Sequence, residues 1–317
     1  MTKLTAVGPD GECPTWIEFL DRVTGGNAEL IGFLQRVAGY SLTGSTREHA
    51  LFFAFGSGAN GKSVFLNTLL GIMGDYAAVA PMDAFTASAG DRHPTDLAGL
   101  RGARLVTSQE IDEGEAWAEA RIKALTGGDP ISARFMRQDF FTYAPQFKLL
   151  IAGNHKPRLR NVDDAIRRRL NLIPFAVTIP PDERDPELFE RLKAEWPGIL
   201  RWMVQGCLNW QRDGLAHPSA VIEATGDYLE MEDTFTTWLD ERCKRSPGNF
   251  ESSADLFTNW KSFAGQAGED PGNQKRFAER MKSRGFVATR RQSGTVRGFQ
   301  DVEIIRANYS EGLRYGE

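Results

Sequence analysis

The sequence predicts an α/β fold, and three observations carry that prediction. A continuous apolar run, Leu51-Phe-Phe-Ala-Phe55, leads directly into Gly56-Ser-Gly-Ala-Asn-Gly-Lys-Ser63, and an apolar segment closed by Gly74 follows. Between about Thr46 and Phe175 further strand-like runs alternate with helical ones, the pattern of a mostly parallel sheet covered by helices. Around this core the sequence places helices alone on the N-terminal side, and helices followed by a two-stranded ribbon on the C-terminal side.

The elements follow in order. Residues 16–40 carry apolar side chains at helical spacing (Ile17, Phe19, Leu20 and Val23, then Leu30, Ile31, Phe33, Leu34 and Val37), interrupted by Gly25-Gly26. Residues 1–45 therefore read as an N-terminal helical segment, suited to oligomerisation. Strands are expected at 51–55, 104–108, 147–152 and 170–175, within a core of residues 46–220. Ile199, Leu200, Trp202, Met203, Val204, Cys207, Leu208 and Trp210 give a long helix that stops at Gly214 and Pro218. The polar, acidic stretch at about 220–234 reads as a link to a last domain, within residues 221–317. Helices are expected there from Ser253 and from Asn273 to Gly285, then strands near 286–291 and 299–305 turning at Ser293-Gly294. That order predicts a winged helix-turn-helix.

The loop after the first strand carries the chemistry. Its spacing, G-x-x-x-x-G-K-S, suits a backbone that wraps phosphates with N–H groups, since glycine admits positive φ and close approach. Gly56, Gly58, Ala59, Asn60, Gly61, Lys62, Ser63 and Val64 are thus the expected nucleotide-binding residues, with Lys62 on the terminal phosphates and Ser63 on Mg²⁺. Hydrolysis also needs an acid at a neighbouring strand end, and the run Arg104 to Glu110 supplies Glu110, a catalytic and metal-holding candidate, ahead of Asp112, Glu113 and Glu115. The strand ending at Ala152 leads to Asn154, a candidate sensor that orients the attacking water. Arg167, Arg168 and Arg169 precede the next strand and include a candidate arginine finger. Between acid and sensor, residues 131–144 read as a hairpin in which Arg134 and Arg137 track phosphates and Phe140 or Phe141 stacks on bases; the competing reading packs those aromatics into the core.

Composition limits the alternatives. The chain has 317 residues, 41% hydrophobic and 25% charged, with a net charge of −4, so it is not a uniformly basic nucleic-acid binder. The charge is uneven, however. Between Lys275 and Arg297 lie eight basic residues and one acid, Glu279, and from this stretch Lys275, Arg276, Arg280, Arg290 and Arg291 are the expected DNA contacts. The three cysteines are scattered, which argues for packing rather than disulfides or zinc, and the four histidines show no ligand spacing. Neither a membrane-spanning run nor a signal-like N-terminus is visible, so the expected location is the cytoplasm, with no membrane partner.

In combination and order, these motifs resemble the helicase part of the phage and plasmid primase-helicase family, within the superfamily three helicases and related to the poxvirus primase-helicase. The matching stretches are GSGANGKS at 56–63, SQEIDEGE at 108–115, IKALTGGDPISARFMRQDFF at 122–141, PQFKLLIAGNHKP at 145–157 and DAIRRRLNLIPF at 164–175. The resemblance implies a P-loop (AAA+-like) ATPase core that uses ATP and Mg²⁺. It further implies a homo-oligomeric ring, usually hexameric, that hydrolyses ATP between subunits while moving on single-stranded DNA in a bacterial host. By that resemblance Glu110 is the catalytic acid, Asn154 the sensor, Arg168 or Arg169 the finger, and Arg134, Arg137 and Lys148 belong to a DNA-binding hairpin. Family members commonly carry a primase domain upstream; barely 50 residues precede the loop here, so priming is expected from another chain or another part. Two other readings stay open: an ATP-switched initiator that binds duplex origin DNA with little unwinding, and a small-molecule phosphotransferase that ignores DNA.

Overall fold

In the computed structural model the described residues are 3–87, 95–109, 115–159, 162–291 and 296–306. The chain divides into two compact units, Met1–Leu229 and Glu230–Glu317. The first opens with helices α1 (Pro14–Thr24) and α2 (Ala28–Ser41). Pro14 sits in the first turn of α1, where the Glu195 carboxylate accepts from the Thr15 and Trp16 amides, each at 3.0 Å. Asn27 caps α2, its Oδ1 accepting from the Leu30 amide at 3.0 Å.

The core then runs through β1 (Leu51–Phe55), α3 (Lys62–Met73), β2 (Ala77–Val79), α4 (Thr95–Ala98), β3 (Leu105–Gln109) and α5 (Glu119–Gly127). It continues with β4 (Ile131–Ala133), β5 (Phe141–Tyr143), β6 (Lys148–Gly153), α6 (Asp164–Arg167) and β7 (Leu170–Pro174), and closes with α7 (Leu188–Ala194), α8 (Trp196–Asp213) and α9 (Ser219–Met231). Among the described residues, five strands form one sheet in the order β2-β3-β6-β1-β7, every pair parallel.

Alternation along the strands divides the interior into two apolar layers. Phe52, Ala54, Leu150 and Ile173 face a cluster shared with α1, α2, α3 and α8, while Leu51, Phe53, Leu149, Ile151 and Leu172 face one shared with Trp117, Leu125 and Tyr228. The N-terminal helices are thus one wall of the same core rather than an appendage. The stretch expected to link domains is instead α9, whose Val221, Tyr228 and Leu229 are buried. The division into compact units falls within its last turn, after Leu229.

The second unit contains α10 (Thr234–Arg242), β8 (Cys243–Ser252), α11 (Ser253–Gln266), α12 (Gln274–Ser283), β9 (Ala288–Arg291) and β10 (Val296–Ile304). Its strands pair antiparallel in the order β8-β10-β9 over a core that includes Phe235, Trp238, Trp260, Phe277 and Phe299. The expected turn at Ser293-Gly294 lies outside the described residues. Among the described residues, no helix is long and apolar enough to cross a membrane, and no cluster of His, Cys, Asp and Glu could hold a metal ion.

Candidate nucleotide-binding cleft and basic surfaces

Three parallel strands end together beside the glycine-rich loop. Phe55 of β1 pairs with Gly153 of β6, and Ala152 pairs with Gln109 of β3, so Phe55, Gln109 and Gly153 share the carboxyl edge of the sheet, where α/β proteins bind ligands. The loop is shaped by its small residues. Gly58, Ala59 and Gly61 all have positive φ, at 96°, 49° and 84°. A Cβ on Gly56 would lie 2.2 Å from both the Phe175 carbonyl oxygen and Asn60 Nδ2, which excludes any side chain there. Gly61 leads into α3, and no side chain caps that helix, so its first-turn amides and positive end are directed at the loop.

Lys62 begins α3 and is buried. Its Nζ donates to the Gly56 carbonyl at 2.8 Å, to Asn60 Oδ1 at 3.0 Å and to Asn154 Oδ1 at 3.2 Å. Burial lowers its pKa below the ordinary lysine value. Asn60 is buried too and is held in turn by its Nδ2, which donates to the Phe175 carbonyl at 3.0 Å. The cleft around these groups measures about 530 Å³ and is lined by Gly58 to Val64, Gln109 and Ala152 to His155. Exposed Ser63 belongs to that lining. The donor set therefore fits a polyphosphate: amides at a helix N-terminus, a glycine-rich backbone, and one ammonium group. The expected acid, Glu110, and its neighbours Asp112 and Glu113 lie outside the described residues.

The arginines sit at the opposite edge. Leu51 pairs with Leu170, and the Leu51 amide donates to the Arg169 carbonyl at 2.7 Å, so Arg168 and Arg169 flank the start of β1 while the loop follows its end. Five residues of strand separate the two, roughly 16 Å, beyond a side chain's reach to its own loop. Their environments differ. Arg169 is only 7% exposed; its Nε donates to Thr126 Oγ1 at 3.1 Å and its Nη1 to the Ala165 carbonyl at 2.8 Å, and burial, then Arg168, lowers its pKa. Arg168 is exposed and makes no ion pair among the described residues. Of the two expected fingers, then, Arg169 is committed to its own interior.

The hairpin expected at 131–144 is formed by β4 and β5, with Ile131 opposite Tyr143 and Ala133 opposite Phe141. Its tip presents Phe135, Met136 and Phe140, at 42%, 71% and 58% exposure, so the core-packing alternative does not hold for Phe140. Arg134 lies over the Phe140 ring at 4.7 Å, and Arg137 adopts φ 58° at the exposed tip. Lys148 corrects the expectation. It lies at the start of β6, buried, with its Nζ donating to the Thr43 carbonyl and, at 3.2 Å, to that of Gln146, 4.8 Å from the Tyr40 ring centre. Burial, with Arg104 adding repulsion, pulls its pKa down to about 7. It packs the interior and offers nothing to DNA.

In the second unit Lys275, Arg276, Arg290 and Arg291 are exposed, on α12 and β9. Arg280 is a second correction: it pairs with Glu269 at 3.0 Å and lies 4.4 Å and 5.0 Å from the Phe235 and Trp260 ring centres, which makes it part of the core. Gln109, whose Nε2 donates to Asn67 Oδ1 at 3.1 Å, was missed, because a glutamine at a strand end carries no motif.

A parallel sheet whose first core strand runs into a phosphate-shaped loop and helix defines a P-loop-like α/β protein. Residues 54–169 match a model described as "Family of unknown function (DUF5906)". The chain is similar to viral proteins named "Putative helicase": 26% identical over 245 residues to L207/L206 of Acanthamoeba polyphaga mimivirus, covering 70% of this chain and 25% of that protein. It is 25% identical over 255 residues to 022R of Frog virus 3 (isolate Goorha), covering 73% and 26%. It is 32% identical over 155 residues to 184R of Invertebrate iridescent virus 6, covering 47% and 16%. The chain thus spans about a quarter or less of these relatives. Its fold is shared with the apo NrS-1 C terminal region, at TM-score 0.59 and 12% identity, over 94% of this chain and 77% of that one. The resemblance carried by the motifs is matched by these relatives from large DNA viruses.

Proposed function

We propose that this chain is the motor of an ATP-dependent DNA helicase that serves replication of a virus, phage, plasmid or other mobile element. Neighbouring copies assemble into a ring, most simply a hexamer, and hydrolyse ATP at their contacts to move along single-stranded DNA. The observation that carries the reading is the separation of Arg168 from its own loop, while Lys62 and Asn154 meet beside that loop. A finger at the far sheet edge serves a neighbour's site and not its own.

The residues then divide the work. The loop amides and the α3 N-terminus bind the phosphates, Lys62 balances their charge, and Asn154 orients the attacking water by its side-chain amide. Mg²⁺ brought with the nucleotide neutralises phosphate charge, and Ser63 with Glu110 would hold it. The exposed hairpin tip suits single-stranded DNA, with Arg134 and Arg137 for phosphates and Phe140 for stacking. The second unit supports a winged helix, α12 being the helix offered to duplex DNA and β9 with β10 the wing. Its exposed basic residues favour a second reading, an initiator in which ATP governs assembly at an origin.

Steady-state ATP hydrolysis, with and without single-stranded DNA, tests the proposal. Wild type should be stimulated by DNA, and Lys62→Ala should fall by at least ~10²-fold. A wild-type rate indifferent to DNA would exclude the helicase reading and favour a phosphotransferase.

A further inference from the structure

Helix α9 meets the turn that carries Asn154. That turn leaves β6 at Gly153, which pairs with Phe55 of β1, and the next two residues, Asn154 and His155, are exposed. Pro157 is buried again, and its carbonyl accepts from the Tyr228 hydroxyl of α9. The same hydroxyl accepts from Trp117 Nε1 at 3.2 Å, so one oxygen bridges two separate stretches of chain. Both rings are buried, Tyr228 at 3% exposure and Trp117 at 2%. The backbone repeats the tie: the Arg158 amide donates to the Glu115 carbonyl at 2.8 Å, and the Trp117 amide to the Arg158 carbonyl at 2.9 Å. Within the turn, Lys156 Nζ lies 4.2 Å from the Phe55 ring centre and 5.8 Å from that of Tyr228. The helix is itself anchored on the sheet. Among the described residues β7 is the outer strand on that side, and its Leu172 amide donates to Thr225 Oγ1 of α9 at 2.9 Å.

We infer that Tyr228 is a positioning residue for ATP hydrolysis, acting on Asn154 through Pro157. That role rests on Asn154 orienting the attacking water, as proposed above, and adds what holds the amide in place. Asn154, His155 and Lys156 alone span the gap between Gly153, fixed by the sheet, and Pro157, fixed by Tyr228. A turn this short moves little while both ends are held. Without the hydroxyl, the Pro157 carbonyl and Trp117 Nε1 both lose this partner in a buried setting, and the turn shifts to recover a partner elsewhere. A misplacement of about 1 Å at a reacting group costs up to ~10²-fold in rate. Nucleotide binding is spared, because Lys62 is also held by the Gly56 carbonyl and by Asn60 Oδ1, which lie in the loop itself.

ATP turnover by the full chain, measured beside calorimetric binding of a non-hydrolysable ATP analogue with Mg²⁺, tests this. Tyr228→Phe keeps the ring in place and should lower kcat by roughly 10- to 100-fold, with the analogue Kd within about 2-fold of wild type. Tyr40→Phe removes the hydroxyl of another buried tyrosine in the same unit and should leave kcat unchanged. In an Asn154→Ala background, Tyr228→Phe should cost less than about a further 2-fold, because the group it positions is already gone. Wild-type turnover by Tyr228→Phe would overturn the inference. So would an equal loss of turnover and analogue affinity, the same kcat loss in Tyr40→Phe, or a full further loss in the Asn154→Ala background, each of which marks general damage to the fold. If Asn154→Ala turns over ATP like wild type while Lys62→Ala does not, the reading of Asn154 itself fails and takes this inference with it.

Discussion

Adjacent arginines should respond in opposite ways to truncation. Arg169→Ala removes a buried guanidinium that donates to Thr126 Oγ1 and to the Ala165 carbonyl. Hydrogen bonds from a charged group contribute about 1.5–3 kcal/mol each, and the buried acceptors left behind regain no solvent, so a net loss of about 2–4 kcal/mol follows. For a unit the size of Met1–Leu229 this lowers the melting temperature by roughly 5–15 °C. Arg168→Ala deletes an exposed side chain and should stay within ~0.5 kcal/mol of wild type. Its DNA-stimulated ATP turnover should nonetheless fall by roughly 10³-fold. Thermal unfolding followed by tryptophan fluorescence, beside ATPase assays on the same preparations, checks both halves. Equal melting temperatures for Arg169→Ala and wild type, or an Arg168→Ala that melts as low as Arg169→Ala, would refute the reasoning.

Three further outcomes are expected. The Lys148 pKa of about 7 lies below its ordinary 10.5, so between those values the unfolded chain binds the extra proton and stability rises with pH. Urea unfolding should show wild type gaining on Lys148→Met by about 1 kcal/mol per pH unit from pH 7.5 to 9.5, and parallel curves would contradict the burial described. Arg134→Ala combined with Arg137→Ala should abolish stimulation by single-stranded DNA and keep basal hydrolysis; stimulation as in wild type would remove the hairpin from the DNA path. Lys275→Ala with Arg276→Ala should weaken duplex binding and reduce its salt slope by about 2, whereas Arg280→Ala should lower the melting temperature of the second unit, a contrast read by salt titration and calorimetry.

Much of the core was legible because its signals are local. The β1 run is apolar throughout, and the glycine spacing after it admits few other uses. Elements that bury little were harder. β2 is three residues of Ala-Ala-Val, only partly buried, and β8 contains Pro247, Gly248 and the exposed polar residues Lys244, Arg245 and Asn249 yet pairs with β10. α9 buries Val221, Tyr228 and Leu229 amid polar neighbours, which reads as a linker until the sheet face beneath it is known. At the site, Asn60, Lys62 and Asn154 were found by motif. The inward turn of Lys148, Arg169 and Arg280 was not, since a charged residue reads as solvated until its buried partners are located.

The central claim, one ATP site built from two chains, is tested most directly by mixing two inactive variants. Lys62→Ala lacks a working loop and Arg168→Ala lacks a finger, so each alone should hydrolyse little ATP. In an equimolar mixture some contacts pair an intact loop with an intact finger, and DNA-stimulated turnover should recover to roughly a quarter of wild type when subunits assort at random. A mixture no more active than its parts, or an Arg168→Ala protein that turns over ATP like wild type, would contradict the claim.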